Sequence, residues 1–375
     1  MDHHLSLIIQ KLVLIAITAT TLLGCSNATN ESTSISLEPT PSPIPSSENK
    51  STPEQHDTQT ELPNLVFQTG FEPESTVLTA FGTSAPCTDD IVGDDLSVSD
   101  KGNWEDDLEG GVFGRFLFCF GGGTPEQRGI EIIPEPGNPS NRVLRTWLAE
   151  PGEDVNDNDE IACNRSGTKG DRKARVQAVL KENPNLTGFT YTVRLKLGEG
   201  FQEIVDADSK IEWLTIAEFW NNAPAEPYPF RITLNLVKEA IAGAPLHFGI
   251  KSDMQFNGTA DKTWHLVWPE GKITSIVAPL GQWITLFVTV LEGDATTGKV
   301  IVNATFEDGT QHQIVDLTGY THSPEGTPDG FASLNPIKVY TSGELMCALN
   351  DLGVVLEVFW DDFAIGTANA GDQSS

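Results

Sequence analysis

From about residue 65 onward, the apolar residues of this chain recur at every second position, and no stretch keeps a 3.6-residue period for long. In "FRITLNLV", Phe230, Ile232, Leu234 and Leu236 fall on one side, and Arg231, Thr233, Asn235 and Val237 on the other. Successive side chains of a strand point to opposite faces, so this segment predicts a strand with one face in a core. The same period sets Val176, Ala178 and Leu180 against Arg175, Gln177 and Val179 in "RVQAVLK". It groups Ile284, Leu286, Val288 and Val290 in "WITLFVTVLEGD", and Val300, Val302, Ala304 and Phe306 in "KVIVNATFEDG". Turn signals such as "EDGT" separate the runs. The prediction is an all-β fold with little helix, a β-sandwich or jelly roll of long antiparallel strands.

The N-terminal quarter reads differently. After a start whose only basic residue is Lys11, the apolar run "LVLIAITATTLLGC" ends at Leu22-Leu23-Gly24-Cys25. That run is shorter than the ~20 residues a membrane-spanning helix needs, which predicts an export signal over 1–25. The small residue before a cysteine resembles a bacterial lipobox, and the resemblance implies a lipid-modified Cys25. Residues 26–63 hold no aromatic side chain and are dominated by Ser, Thr, Pro, Asn and Glu. Such a segment buries too little apolar surface to offset its ordering entropy, so it is expected to be a disordered linker with a reach of ~35 Å. One domain over 64–366 and a flexible tail over 367–375 complete the expected organisation.

Charge and cysteines narrow the partners. With 53 acidic against 23 basic residues, the formal charge is -30. This excludes nucleic acid and electrostatic binding to anionic lipid, and leaves the membrane to be reached through the anchor alone. The protein is expected outside the cytoplasm, membrane-anchored and facing the periplasm or the cell exterior, as a monomer. Cys87, Cys119, Cys163 and Cys347 form an even set suited to disulfides, with the pairing open among three possibilities. No Cys-x-x-Cys or His-rich spacing argues for zinc.

Opposite the apolar faces, alternation places Arg175 and Gln177, Arg231 and Asn235, His247 and Lys251, and Lys338 and Tyr340, from four separate segments. "WLTIAEFWNN" adds Glu218 and Trp220, the tryptophan suited to stacking on a sugar ring and the carboxylate to bonding hydroxyls. Ordinary rim salt bridges would equally occupy Arg175, Arg231 and Lys251. Trp213, Trp264, Trp268 and Trp283 are expected in core or sheet-edge packing. The loop "GYTHSPEGTPDG", which contains His322, is long enough to overhang a neighbouring face.

"LVFQTGFEP" at 65–73 and "LEVFWDDFAIG" at 356–366 resemble the first and last strands of concanavalin A-like jelly rolls, the fold of laminin G-like lectins, laminarinase-type glucanases and several polysaccharide lyases. The resemblance implies that the two strands lie side by side, that Glu72, Asp361 and Asp362 hold a structural calcium, and that one sheet face takes a polysaccharide. No organic cofactor is implied. "IKVYTSG" is similar to the Lys-x-x-x-Tyr strand of alginate-lyase-like members and "RVQ" to their arginine strand. That casts Arg175 and Gln177 as neutralisers of a uronate carboxylate, Tyr340 as base or acid, and His247 as its counterpart. Here the lysine-to-tyrosine spacing is two rather than four, and the Gln-Ile-His signature of alginate lyases is absent. Two alternatives stay open. One is a non-catalytic carbohydrate-binding or adhesion module. The other is a glycoside hydrolase, since Glu105, Asp107 and Glu109 in "NWEDDLEGG" match the Glu-x-Asp-x-Glu spacing of laminarinase relatives, although Asp106 interrupts it and suggests an acidic loop.

Overall fold

A computed structural model describes residues 64–71, 111–120, 127–150, 173–183, 185–221, 229–255, 264–268 and 272–369, with Leu62, Leu108 and two short strands at 76–78 and 90–92. The leader with Cys25, all of the linker but Leu62, and Glu72, Cys87, Glu105, Asp107, Glu109 and Cys163 lie outside the described residues. The described residues fall within one compact unit, Gln59–Ser375.

The strands are β1 (Leu65–Thr69), β2 (Thr76–Leu78), β3 (Asp90–Val92), β4 (Arg115–Cys119), β5 (Arg128–Glu135), β6 (Asn138–Leu148), β7 (Lys173–Lys181) and β8 (Gly188–Leu197). After helix α1 (Phe201–Asp206) come β9 (Ile211–Trp220), β10 (Phe230–Lys238), β11 (His247–Met254), β12 (His265–Leu266), β13 (Lys272–Val277), β14 (Trp283–Leu291), β15 (Lys299–Phe306) and β16 (Gln311–Thr318). The chain closes with β17 (Ser333–Asn335), β18 (Lys338–Ser342), α2 (Gly343–Asp351) and β19 (Leu356–Thr367).

Two antiparallel sheets make the sandwich. The eight-stranded sheet runs β16-β15-β14-β8-β19-β6-β5, with β1 added on β19. The nine-stranded sheet runs β12-β11-β10-β9, then β17 and β18, then β7 and β4, with β13 on β11. Strands β1 and β19 pair antiparallel from Leu65↔Gly366 to Thr69↔Phe363, as the first-and-last-strand resemblance implied. The tail begins later than expected, because the Thr367 amide donates to Asn64 and that of Ala368 to Gly188.

The apolar faces read from alternation meet in one core that draws on both sheets. Phe230, Ile232, Leu234 and Leu236 of β10 are buried there with Ile284, Leu286, Val288 and Val290 of β14. Phe219 bridges the layers, its ring 5.0 Å from Phe189 and 5.9 Å from Tyr191. Each such side chain contributes about 1.5–3 kcal/mol by leaving water, which is why this sandwich needs little helix.

Two neighbouring strands break step at the same level. In β9 the pairing with β10 passes from Leu234↔Ala217 to Asn235↔Thr215, so Ile216 and Ala217 form a bulge and both are buried. Beside it, Pro336 has no N–H for the ladder and divides β17 from β18. Each break shifts the inward-outward count by one residue. Trp213 and Thr215 therefore share a face with Glu218 and Trp220, and Asn335 shares it with Lys338 and Tyr340.

Candidate active site

The face of the nine-stranded sheet turned away from the core is polar, and register fixes its rows. Across one row lie Arg175 of β7, Tyr340 of β18, Thr215 of β9, Asn235 of β10 and Gly249 of β11. One step along, Gln177 pairs with Lys338. A third row joins Asn335, Glu218, Thr233 and Lys251, and a fourth joins Ser333, Trp220, Arg231 and Asp253. All ten residues expected on a catalytic or sugar-binding face are thus on one face of one sheet.

They form two tiers. The floor is buried: Gln177, Thr215, Glu218, Thr233, Asn235, Asn335 and Lys338 are all nearly closed to solvent. Longer side chains rise from it and are half-exposed, namely Arg175, Tyr340, Trp213, Trp220, Arg231, Lys251 and His247.

Lys338 and Glu218 were expected to touch substrate. Instead they are only 1% and 4% exposed, and the Lys338 ammonium is ion-paired and hydrogen-bonded to the Glu218 carboxylate. Burial alone would raise the Glu218 pKa, but Lys338 and Arg231 outweigh it and hold the carboxyl below its ordinary range. Burial depresses Lys338, and the positive charges of Arg175 and Arg231 add to that, against the pull of Glu218. The charge chain continues as Arg231 reaches Glu218 at 3.4 Å and Asp253 at 2.6 Å, and Lys251 reaches Asp253 at 3.5 Å. Despite the cost of burial, Asp253 and Glu218 keep the Arg231 guanidinium above its usual pKa. Arg231 is therefore a paired residue, stacked 4.2 Å from the Trp264 ring and 5.6 Å from that of Trp220.

Around Tyr340 the arrangement is different. Its ring lies 4.8 Å from Trp213, with Lys338 at 4.7 Å, Lys173 at 5.9 Å and Arg175 at 6.0 Å from its centroid. Beside it on β7, Arg175 Nε and Gln177 Oε1 are buried atoms without a hydrogen-bond partner, and two rows further along the face Asn335 Oδ1 is another. Buried polar groups are normally paired, so two unpartnered atoms on the strand flanking the tyrosine indicate groups arranged to meet a ligand.

His247 does not join them. Three strand spacings separate β11 from β18, about 14 Å, so His247 cannot act with Tyr340 on one sugar residue. It sits instead in a recess at the far side of the face, with Asn235 and Lys251.

Alternation missed Asn335, Thr215 and Trp213 because counting back from Tyr340 or Trp220 crosses a bulge. Pro336 was the visible signal for the first. Trp264 and Trp213, expected in packing, line the polar face, whereas Trp268 and Trp283 are buried. His322 is buried too, its Nδ1 2.7 Å from the Ser323 carbonyl, and the loop around it is pinned by Glu292, which accepts from Asn221, Asp329 and Gly330.

Asp361 and Asp362, the two expected calcium residues among those described, lie on the other sheet. Asp361 Oδ2 accepts from Asn141 at 2.9 Å and Arg194 at 3.3 Å, and Arg194 also approaches Asp362 at 3.8 Å. A guanidinium already stands where a metal ion would have to compensate the two carboxylates, so these residues do not fit calcium. Among the described residues no group of three or more His, Cys, Asp or Glu could hold a metal.

No family model matches this chain, and no curated protein matches it. Among solved structures it is similar to an endo-β-1,4-glucuronan lyase from Trichoderma reesei at 12% identity, with a TM-score of 0.38, covering 64% of this chain and 88% of that one. It is similar to the alginate lyase Aly36B bound to an alginate tetrasaccharide, at 9% identity and a TM-score of 0.40, covering 82% and 99%. A PL-14 alginate lyase from the marine Aplysia kurodai gives 10% identity and a TM-score of 0.39, over 65% and 88%. Likenesses this loose transfer no residue role and no substrate.

Proposed function

We propose that this protein is a polysaccharide lyase that cleaves a uronic-acid-containing glycan by β-elimination. The observation that carries the reading is the in-register block on β7 and β18, where Tyr340 faces Arg175 and Lys338 faces Gln177, with unpartnered polar atoms beside the tyrosine. Elimination removes the proton at C5, forms the C4–C5 double bond and breaks the C4–O bond, so it needs a neutralised carboxylate and a group that moves a proton. Arg175 receives the carboxylate, and the free Gln177 Oε1, an acceptor, takes a sugar hydroxyl beside it. Tyr340 takes the C5 proton and returns it to the leaving glycosidic oxygen, so no net proton is exchanged. Lys338 and Lys173 offset the negative charge that builds in between. Trp213 gives the sugar an apolar wall against the tyrosine. The export signal and Cys25 anchor expected from the leader would display this activity outside the cytoplasm.

Incubation of the purified protein with a panel of polyuronates and glycosaminoglycans, read by ultraviolet absorbance of unsaturated uronate ends, tests the reading. Absorbance should rise with at least one polymer and fall by ~10² or more in Tyr340→Phe. New reducing ends without absorbance would point to hydrolysis instead, and retention on an immobilised glycan without cleavage to a binding module.

A further inference from the structure

The polar row that starts at Arg175 and Tyr340 does not end at the tyrosine. Thr215, paired with Tyr340, donates its hydroxyl to Asn235 Oδ1 at 2.8 Å, and the Asn235 amide donates to the Thr233 hydroxyl at 2.9 Å. This buried track leads across β9 and β10 to a recess of about 180 Å³, bounded by Asn235, Val237, His247 and Lys251 with Lys210 at the rim.

One wall of the recess is built around a cation. Lys238 donates to the carbonyls of Ala207, Ser209, Glu239 and Ile241 at 2.6 to 3.2 Å, which clamps the segment after α1 to the β10–β11 turn. Its ammonium is used up in holding the wall. Three other cationic or polar groups remain for a ligand. His247 Nδ1 is buried and has no partner. The Lys251 ammonium has Asp253 at 3.5 Å, and that of Lys210 has Glu212 at 3.3 Å. Glu212 and Glu239 also line the recess, so with Asp253 its three lysines meet three carboxylates, while the ammoniums of Lys210 and Lys251 each keep N–H donors beyond the one carboxylate they touch. A recess with spare N–H donors is complementary to an anionic group on a small ring, with Val237 as its apolar side.

We propose that this recess is a distal subsite holding the carboxylate of a uronate residue several units along the glycan from the one at Tyr340. The inference rests on the lyase reading. The separation of about 14 Å between β18 and β11 means that only a chain long enough to cross β9 and β10 engages both places. Longer substrates therefore bind better than short ones, and the enzyme cuts within chains rather than trimming disaccharides from an end.

The test uses the full chain and oligouronates of defined length. In His247→Ala, and separately in Lys210→Met, KM for the hexamer should rise on the order of tenfold, while the dimer, too short to reach from Tyr340, shifts far less. The rim variant keeps the test decisive should the histidine variant fold poorly. An equal shift at every length, or none at the hexamer, overturns the subsite. A binding arm separates its failure from that of the lyase reading: the His247 imidazole resonance, assigned by its loss in His247→Ala, is followed as hexauronate is added. Its movement supports the subsite even if wild type cleaves nothing. A resonance that stays put under saturating hexauronate, or moves only with a sulfated neutral oligosaccharide, overturns the assignment to a uronate.

Discussion

The two outer faces of the sandwich carry similar charged and aromatic residues and treat them differently. On the eight-stranded sheet, Arg145 donates to both Glu131 and Glu357 and lies 4.8 Å from the Trp147 ring. There the Trp283 indole donates to Glu135 at 2.6 Å while Arg194 stacks on it at 4.3 Å. On the nine-stranded sheet, Arg231 is paired in the same manner, yet three strands away Arg175 and Gln177 present buried atoms with no partner. A face finished with its own partners is structural. A face that leaves buried polar atoms without partners, beside an ion-paired chain from Lys338 through Glu218 and Arg231 to Asp253, is arranged for something that arrives from outside.

The largest effect should come from breaking the paired floor. Lys338→Met leaves the Glu218 carboxylate buried without its nearest cation, and should cost about 3–5 kcal/mol, read as a fall in the urea midpoint. A loss under 1 kcal/mol would show that water reaches the pair. Next, Arg175→Ala should lower kcat/KM on the preferred polyuronate by about 10², with the urea midpoint almost unmoved, because its buried nitrogen bonds to nothing in the protein. Loss of stability in step with activity would make Arg175 a structural residue like Arg231.

A third effect is set by pH. Burial, with Asp362 next to it, pushes the Asp361 carboxyl up to about 7 in spite of the bonds from Asn141 and Arg194. The unfolded chain releases that proton near the ordinary value of ~3.9, so between about pH 4 and pH 7 the folded form holds more protons. Stability from this residue is thus greatest below the window, declines as pH rises through it and is level above. In Asp361→Asn that decline should shrink by on the order of 2 kcal/mol when the two profiles are compared by denaturant unfolding. Parallel profiles would assign the slope to other groups. The smallest effect belongs to the finished face. Arg145→Ala should cost no more than about 1 kcal/mol and leave cleavage kinetics unchanged, since its partners are partly exposed.

Much of this was legible from residue order. A two-residue period identifies a strand and its buried side wherever the strand is regular, as in β10 and β14, and the same count put Arg175, Gln177, Lys338 and Tyr340 on a common face. Two things were not legible. The count fails across Ile216-Ala217 and across Pro336, which concealed Trp213, Thr215 and Asn335. Pairing between distant segments is also silent in a local pattern. Lys338 and Glu218 are 120 residues apart, and only the lateral order of β9, β17 and β18 turns two expected sugar contacts into a buried ion pair. The same order carried His247 to the far side of the sheet.

The twin breaks in step have a consequence for how this surface can change over generations. They act as a seam: on one side Tyr340, Thr215 and Trp213 are set by one count of residues, and on the other Asn335, Glu218 and Trp220 by another. Removing one residue at Ile216 or at Pro336 alone would turn half a strand inside out and drive charge into the core. Removing one at each would restore a continuous sheet and rotate a matched pair of half-strands together. Descendants of this chain are therefore expected to gain or lose the two irregularities as a couple, and an alignment of relatives in which one appears without the other would mark a rebuilt polar face.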